Sequence, residues 1–151
     1  FQGKPTPLER FNPVYKKTYS YLRWQSNASP EIGNFRQIFY SEGEKKIPKG
    51  LLTLLDNSIS LAVWFMDDGY LYHRDKMAYI YLPRCSVIEQ GLIIETLKKN
   101  FQLYPTMKTK KRGNLVLSFS VSETAKLLSL VAPYIIPSMQ YKLLNPVSTE
   151  A

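Results

Sequence analysis

Asp67 and Asp68 stand side by side at the end of the most apolar stretch of the chain, "LAVWFMDDG". Leu61 to Met66 favour burial, whereas two adjacent carboxylates before Gly69 favour water. If the stretch is a helix, its C-terminus already carries partial negative charge from unpaired carbonyls. Exposed carboxylates there cost about 0.3–1 kcal/mol each, and burial strengthens their repulsion. A positive group should offset this. A divalent cation with oxygen ligands fits, since Mg²⁺ takes one or two carboxylates and keeps several waters. The rival reading is a polar Asp-Gly turn in water. The all-apolar helix before it favours burial on every side, and so favours the cation.

A second feature is cationic. Residues 98–112 hold six basic side chains and no acidic one. Lys108, Lys110, Lys111 and Arg112 lie on a predicted hairpin, where Lys108 and Lys110 share a face with Thr106. Such a ribbon fits the major groove of duplex DNA, and basic residues near its turn contact phosphates. Arg84, Lys76, Arg74, Arg23 and Lys17 lie on or beside the other predicted strands. The net charge is +8 and the pI about 9.5, which favours a polyanionic partner over a merely solvated surface. Tyr79 with Tyr81, and Tyr19 with Tyr21, could stack on bases, although sheet packing is the commoner use. His73 is the only histidine, and with no second one it is not assigned to metal.

The elements that must position these groups follow from periodicity. Residues 19–26 alternate as a strand, "ERFNPVY" is its partner, and the turn falls near Lys16–Lys17. Ser29 and Pro30 open a helix whose apolar set is Ile32, Phe35, Ile38 and Phe39. A short helix over 51–55 precedes the motif helix, which starts at 57–60 and stops at Gly69 as a left-handed terminator. Strands follow at 70–74 and 77–82. Ser86 and Glu89 form a capping box opening a helix to about Asn100, with Ile88, Leu92, Ile93 and Leu97 inward. Strands at 103–110 and 114–121 lead to a helix over 122–132 carrying Ala125, Leu127, Leu128 and Val131. Pro133 and Pro137 break the chain after it. From residue 59 the order is α-β-β-α-β-β-α, and residues 8–40 read β-β-α, the tail of the same unit. The expected division is residues 1–45, the end of a first repeat, and residues 46–151, a complete second one. Residues 1–3, "FQG", match what an affinity-tag protease leaves behind or are natural sequence, and take no part in the fold reading.

With 44% hydrophobic residues the chain can bury a core. Cys85, the single cysteine, excludes an intrachain disulfide and a cysteine-rich zinc site, which fits an intracellular setting. Asp56 breaks the apolar stretch from Leu51 to Met66, so no membrane span is expected, and no signal peptide is visible.

Taken with its flanks, the motif resembles the LAGLIDADG homing endonucleases. "LAVWFMDDG" looks like their signature. "KKIPKGLL" before it, "FQL" at 101–103 and "PYIIPSMQYKL" near the C-terminus are similar to the single-chain, intron-encoded I-SceI-like type, over roughly residues 19–149. The resemblance implies an α+β fold. Its αββαββα repeats form a DNA-binding saddle, with two motif helices packed at the centre and sheets in the major groove. It implies a site-specific DNA endonuclease, a hydrolase of phosphodiester bonds, using Mg²⁺ or another divalent cation. Asp68 takes the metal-ligand position and Asp67 the acidic position beside it. Lys142, in "QYKL", matches a basic residue near the active site, and Lys45, or its neighbour Lys46, a second one. A mitochondrial or plastid location follows from the resemblance alone.

Two departures matter. One acidic motif is present where single-chain relatives have two. The first then belongs to an upstream segment or a second chain, or two copies pair. "YLPRCS" at 81–86 stands where relatives carry small amide and hydroxyl residues. The alternative function is a non-cleaving nucleic-acid-binding protein on the same scaffold, an intron RNA maturase or splicing factor. Asp67, Asp68 and Lys142 argue for cleavage, since binding alone has little use for them.

Overall fold

A computed structural model describes residues 4–25 and 27–144 of the chain. The chain divides into two compact units between Tyr40 and Ser41. The first holds an antiparallel hairpin, β1 (Thr6–Asn12) and β2 (Lys17–Arg23), and helix α1 (Pro30–Phe39). Ser29 caps α1 as expected, its Oγ accepting the Ile32 amide at 3.2 Å. Ile32, Phe35 and Ile38, expected to pack inward, are instead exposed, and no described residue of this unit is buried. The reason is geometric: two strands and one helix cannot enclose a core, and a lone hairpin is marginal in water.

At the junction, a short ribbon pairs β3 (Tyr40–Ser41) with β4 (Glu44–Lys45). Then come α2 (Leu51–Leu54), α3 (Ser58–Asp68), β5 (Gly69–Tyr72), β6 (Met77–Tyr81), α4 (Val87–Phe101), β7 (Thr106–Thr109), β8 (Leu115–Ser118) and α5 (Val121–Val131). From α3 onward this is the expected αββαββα order. Strand β7 starts later than expected, because Gln102 leaves α4 at φ 54° and Pro105 has no N–H for the ladder. The sheet order is β5-β6-β8-β7, antiparallel throughout. No helix among the described residues is long and apolar enough to cross a membrane.

One sheet face, with Leu71, Ala78, Ile80 and Leu117, joins Leu61 and Phe65 of α3, Ile93 and Leu97 of α4, and Leu127, Leu128 and Val131 of α5 in the core. The fold is therefore α+β, with helices against one face of an antiparallel sheet. Two expected core positions point outward. Ile88 is 85% exposed. The capping box aims Glu89 at the Ile47 amide (3.0 Å) and so fixes the phase of α4. Thr96 takes an inward position, its hydroxyl donating to the Leu92 carbonyl. On α5, Thr124 is inward, accepting from the Ala78 amide at 2.8 Å, which leaves Ala125 outside.

Polar side chains tie distant segments into this core. Asn100 donates to the Leu52 and Leu55 carbonyls, both at 2.7 Å, and Glu123 accepts from the Tyr104 amide at 2.7 Å. Amide hydrogen bonds from Ser86 and Ile47 hold the Glu89 carboxyl below its ordinary pKa. Burial pushes Glu123 up, but bonds from Lys126 and Tyr104 outweigh it and the net shift is downward. A lowered folded-state pKa stabilises above the unfolded value, about 4.3, and that stability is lost as pH falls through the folded value. Urea midpoints should therefore hold from pH 7 to about 5 and drop below about 4. Glu123→Gln should show a shallower acid drop.

Candidate active site and nucleic-acid interface

Helix α3 begins at Asn57, whose Oδ1 accepts the Ser60 amide at 2.9 Å. Burial on every side was expected of it, but only Leu61, Ala62 and Phe65 are buried. Ile59 (55%) and Val63 (56%) are exposed. With Asp67 they follow at steps of four and form one stripe along the helix. Consecutive helical residues leave the axis about 100° apart, so the two carboxylates diverge. Asp67 is exposed on the open stripe, while Asp68 is half-buried on the side of Leu61 and Phe65.

Gly69 follows Asp68 directly into β5 at φ −83° and ψ 147°. This corrects the left-handed terminator expected there. The glycine is needed for space: a Cβ at residue 69 would overlap the Phe65 carbonyl oxygen and ring. The same carbonyl accepts the Gly69 amide.

The positive group demanded by the acidic helix end is present within the chain. Lys142 lies in a 3-10 segment, Pro137–Lys142, and is only 8% exposed. Its Nζ donates to the carbonyls of Gly69 (2.8 Å), Met66 and Phe65 (3.5 Å). An ammonium has three protons, and each has an acceptor here. Burial draws the pKa of this amine below that of an ordinary lysine, while Asp67 and Asp68 push it back up. His73, passed over in the sequence, turns out to anchor the same segment. Its Nε2 donates to the Tyr141 carbonyl at 3.0 Å, fastening the β5–β6 turn to the residue before Lys142. Nothing local in the sequence marks this bond, which spans 68 positions.

Neither Asp67 nor Asp68 has an ion pair or side-chain hydrogen bond among the described residues. Their oxygens are open to a ligand. No group of three or more His, Cys, Asp or Glu suited to a metal occurs among those residues. Two open carboxylates are a donor set that a hydrated Mg²⁺ would accept, since that ion takes one or two carboxylates and keeps several waters. Lys45 is exposed on β4 and lines a cavity of about 600 Å³ with Lys46, Arg84, Cys85 and Glu89, among others. Neither motif carboxylate lines that cavity.

The sheet face opposite the core carries several of the residues expected at an interface. Cross-strand register puts Tyr70, Tyr72, Met77, Tyr79, Tyr81, Thr106 and Lys108 on it. Lys110 lies just beyond β7, yet its Nζ stands 3.8 Å from the Tyr79 ring centre and 5.8 Å from that of Tyr81. It thus shares the face with Lys108, as predicted. Arg74 pairs with Asp75 at 2.8 Å and lies over Tyr72. Such an exposed pair is weak. Lys76 is exposed in the turn between β5 and β6, Lys111 at the start of a 3-10 segment (Lys111–Gly113), and Arg84 after β6. Lys17 and Arg23 are exposed at the two ends of β2, in the first unit. The side chain of Arg112 lies outside the described residues.

Three comparisons bear on this arrangement. The chain is similar to a Mycosarcoma maydis protein named probable intron-encoded DNA endonuclease 3. The two are 32% identical over 110 residues, 70% of this chain and 80% of that one. A Wickerhamomyces canadensis protein named probable intron-encoded endonuclease 1 is 32% identical over 150 residues, 93% of this chain but 62% of its own length. Among solved structures, the homing endonuclease I-WcaI bound to its DNA recognition sequence superposes with a TM-score of 0.83 at 28% identity. That match covers 96% of this chain and 66% of the other. The chain thus spans just under two thirds of two of these relatives. The family described as LAGLIDADG DNA endonuclease matches residues 4–127. A match running through most of the chain makes it a member of the LAGLIDADG DNA endonuclease family.

Proposed function

We propose that the chain supplies one motif helix and one reading sheet of a site-specific, divalent-metal-dependent endonuclease acting on duplex DNA. The carrying observation is continuity. Asp68 ends α3, Gly69 opens β5, and Tyr70 is already on the open sheet face. The acidic tip and the reading surface are therefore within two residues of each other. Asp68 would hold Mg²⁺, with Asp67 next to it. The bound ion would supply charge stabilisation for the phosphate and an activated water. The sheet aligns the duplex: Lys108, Lys110 and Lys111 take phosphates, and the tyrosines lie against base edges. The open Ile59–Val63–Asp67 stripe supports a second motif helix, from an upstream segment or another chain, packing beside α3. Relatives that extend beyond the matched region are consistent with this.

The test uses the complete protein with duplex DNA containing its site. Strand scission that needs Mg²⁺ and stops with EDTA is expected. Binding that falls steeply with salt is expected too, and Lys108→Ala with Lys110→Ala together should reduce the slope of log K against log[salt] by about 2. Binding with an unchanged slope would remove the hairpin from the interface. Preference for intron RNA over duplex DNA, without scission, would replace this reading by the maturase one.

A further inference from the structure

We infer that Lys142 is a positioning residue: its ammonium, held by the Gly69, Met66 and Phe65 carbonyls, closes the end of the motif helix and sets where Asp67 and Asp68 point. The inference rests on the proposed nuclease function only for what the carboxylates do.

Three facts carry it. All three ammonium protons are used, so the group has none free for a water or a phosphate. Its acceptors flank Asp68 on both sides, Met66 before it and Gly69 after it. The helix-to-strand corner containing the carboxylates is therefore pinned from both ends. The segment bearing Lys142 is itself fastened at Tyr141 by His73. Removing the ammonium takes its donors from the Met66 and Gly69 carbonyls and leaves the Phe65 carbonyl with the Gly69 amide alone, and a corner that relaxes in response moves Asp68.

A lysine that transfers a proton in the reaction makes opposite demands. It needs a free donor position and contributes little to the metal-free fold. Three variants of the complete protein separate the roles. Lys142→Met should lower the metal-free melting temperature by ~10 °C. It should raise the half-saturating Mg²⁺ concentration for cleavage about ten-fold, as loss of support around a metal ligand does, with much of the rate recovered at saturating Mg²⁺. Lys142→Arg keeps a cation and several donors but cannot yield its proton, and it should recover most of both losses. His73→Ala touches no carboxylate and removes only the anchor at Tyr141. It should reproduce the Lys142→Met pattern in smaller measure even if that variant fails to fold.

Unchanged metal-free melting in Lys142→Met, or an Arg variant that melts normally yet does not cut, would overturn the inference. So would a fall in half-saturating Mg²⁺ on removal of Lys142, the response of a cation that only competes with metal by charge. The melting measurements need neither DNA nor cleavage, so they decide the role of Lys142 even if the nuclease function itself fails.

Discussion

Asp68→Asn should leave the complete protein folded and bound to duplex DNA while lowering its Mg²⁺-dependent cleavage by at least about a thousand-fold, roughly 4 kcal/mol of transition-state stabilisation. The amide matches the carboxylate in size but cannot bring a negative charge to the metal. Folding has little to lose. Asp68 has no ion pair or side-chain hydrogen bond among the described residues. A negative charge at a helix C-terminus is unfavourable by about 0.3–1 kcal/mol. That relief opposes the lost through-space attraction of Asp68 for the Lys142 ammonium, so the variant should melt close to the parent, which separates lost chemistry from lost structure. Asp67→Asn is the internal comparison. Asp67 stands on the exposed stripe, about a third of a turn from Asp68, and its loss should cost less. Single-turnover cleavage and filter binding, each at saturating Mg²⁺, read both effects. Full cleavage by the Asp68 variant, or a larger loss in the Asp67 variant, would move the metal-ligand role off Asp68.

What the sequence made legible was local chemistry. Ser29 before Pro30, and Ser86 with Glu89, placed the starts of α1 and α4 because capping is decided within four residues. The motif helix was legible from its run of apolar residues, and the candidate site from the carboxylates at its end. Side-chain phase was less so. Ile88 looked inward by spacing, but Glu89 reaches Ile47, forty-two positions away, and that bond turns the helix. Periodicity also reports only that a face is apolar, not that a partner is present. Hence Ile32 and Phe35 on the apolar face of α1, and Val63, whose helix was expected to be buried all round, are open to solvent. The resemblance matched Lys142 to an active-site lysine, but its acceptors lie 73 to 77 positions away, and no local pattern announces three carbonyls converging on one amine.

Gly69 offers the sharpest test of how tightly that corner is built. Its φ and ψ suit any residue, so Gly69→Ala meets no backbone strain, and any loss must come from space. The added methyl would run into the Phe65 carbonyl oxygen and ring. Phe65 is fully buried, so its ring has nowhere cheap to go, and its carbonyl already accepts from Gly69 and Lys142. Overpacking of this kind costs ~3 kcal/mol, or a fall of roughly 6–12 °C in melting temperature for a chain of this size. Relief requires shifting the helix end, and a displacement near 1 Å at a reacting group costs about a hundred-fold in rate. Cleavage should therefore fall by about that factor even at temperatures where the variant is fully folded. Gly91→Ala is the control with the opposite sign. It lies inside α4 with open space around the added methyl, so it should stabilise by up to ~1 kcal/mol and leave cleavage alone. Thermal melts of the two variants side by side distinguish a glycine required by packing from one merely tolerated. A Gly69→Ala protein that melts with the parent would mean that the corner beneath Asp68 is not closed on Phe65, and Lys142 would then have no fixed ring of carbonyls to hold.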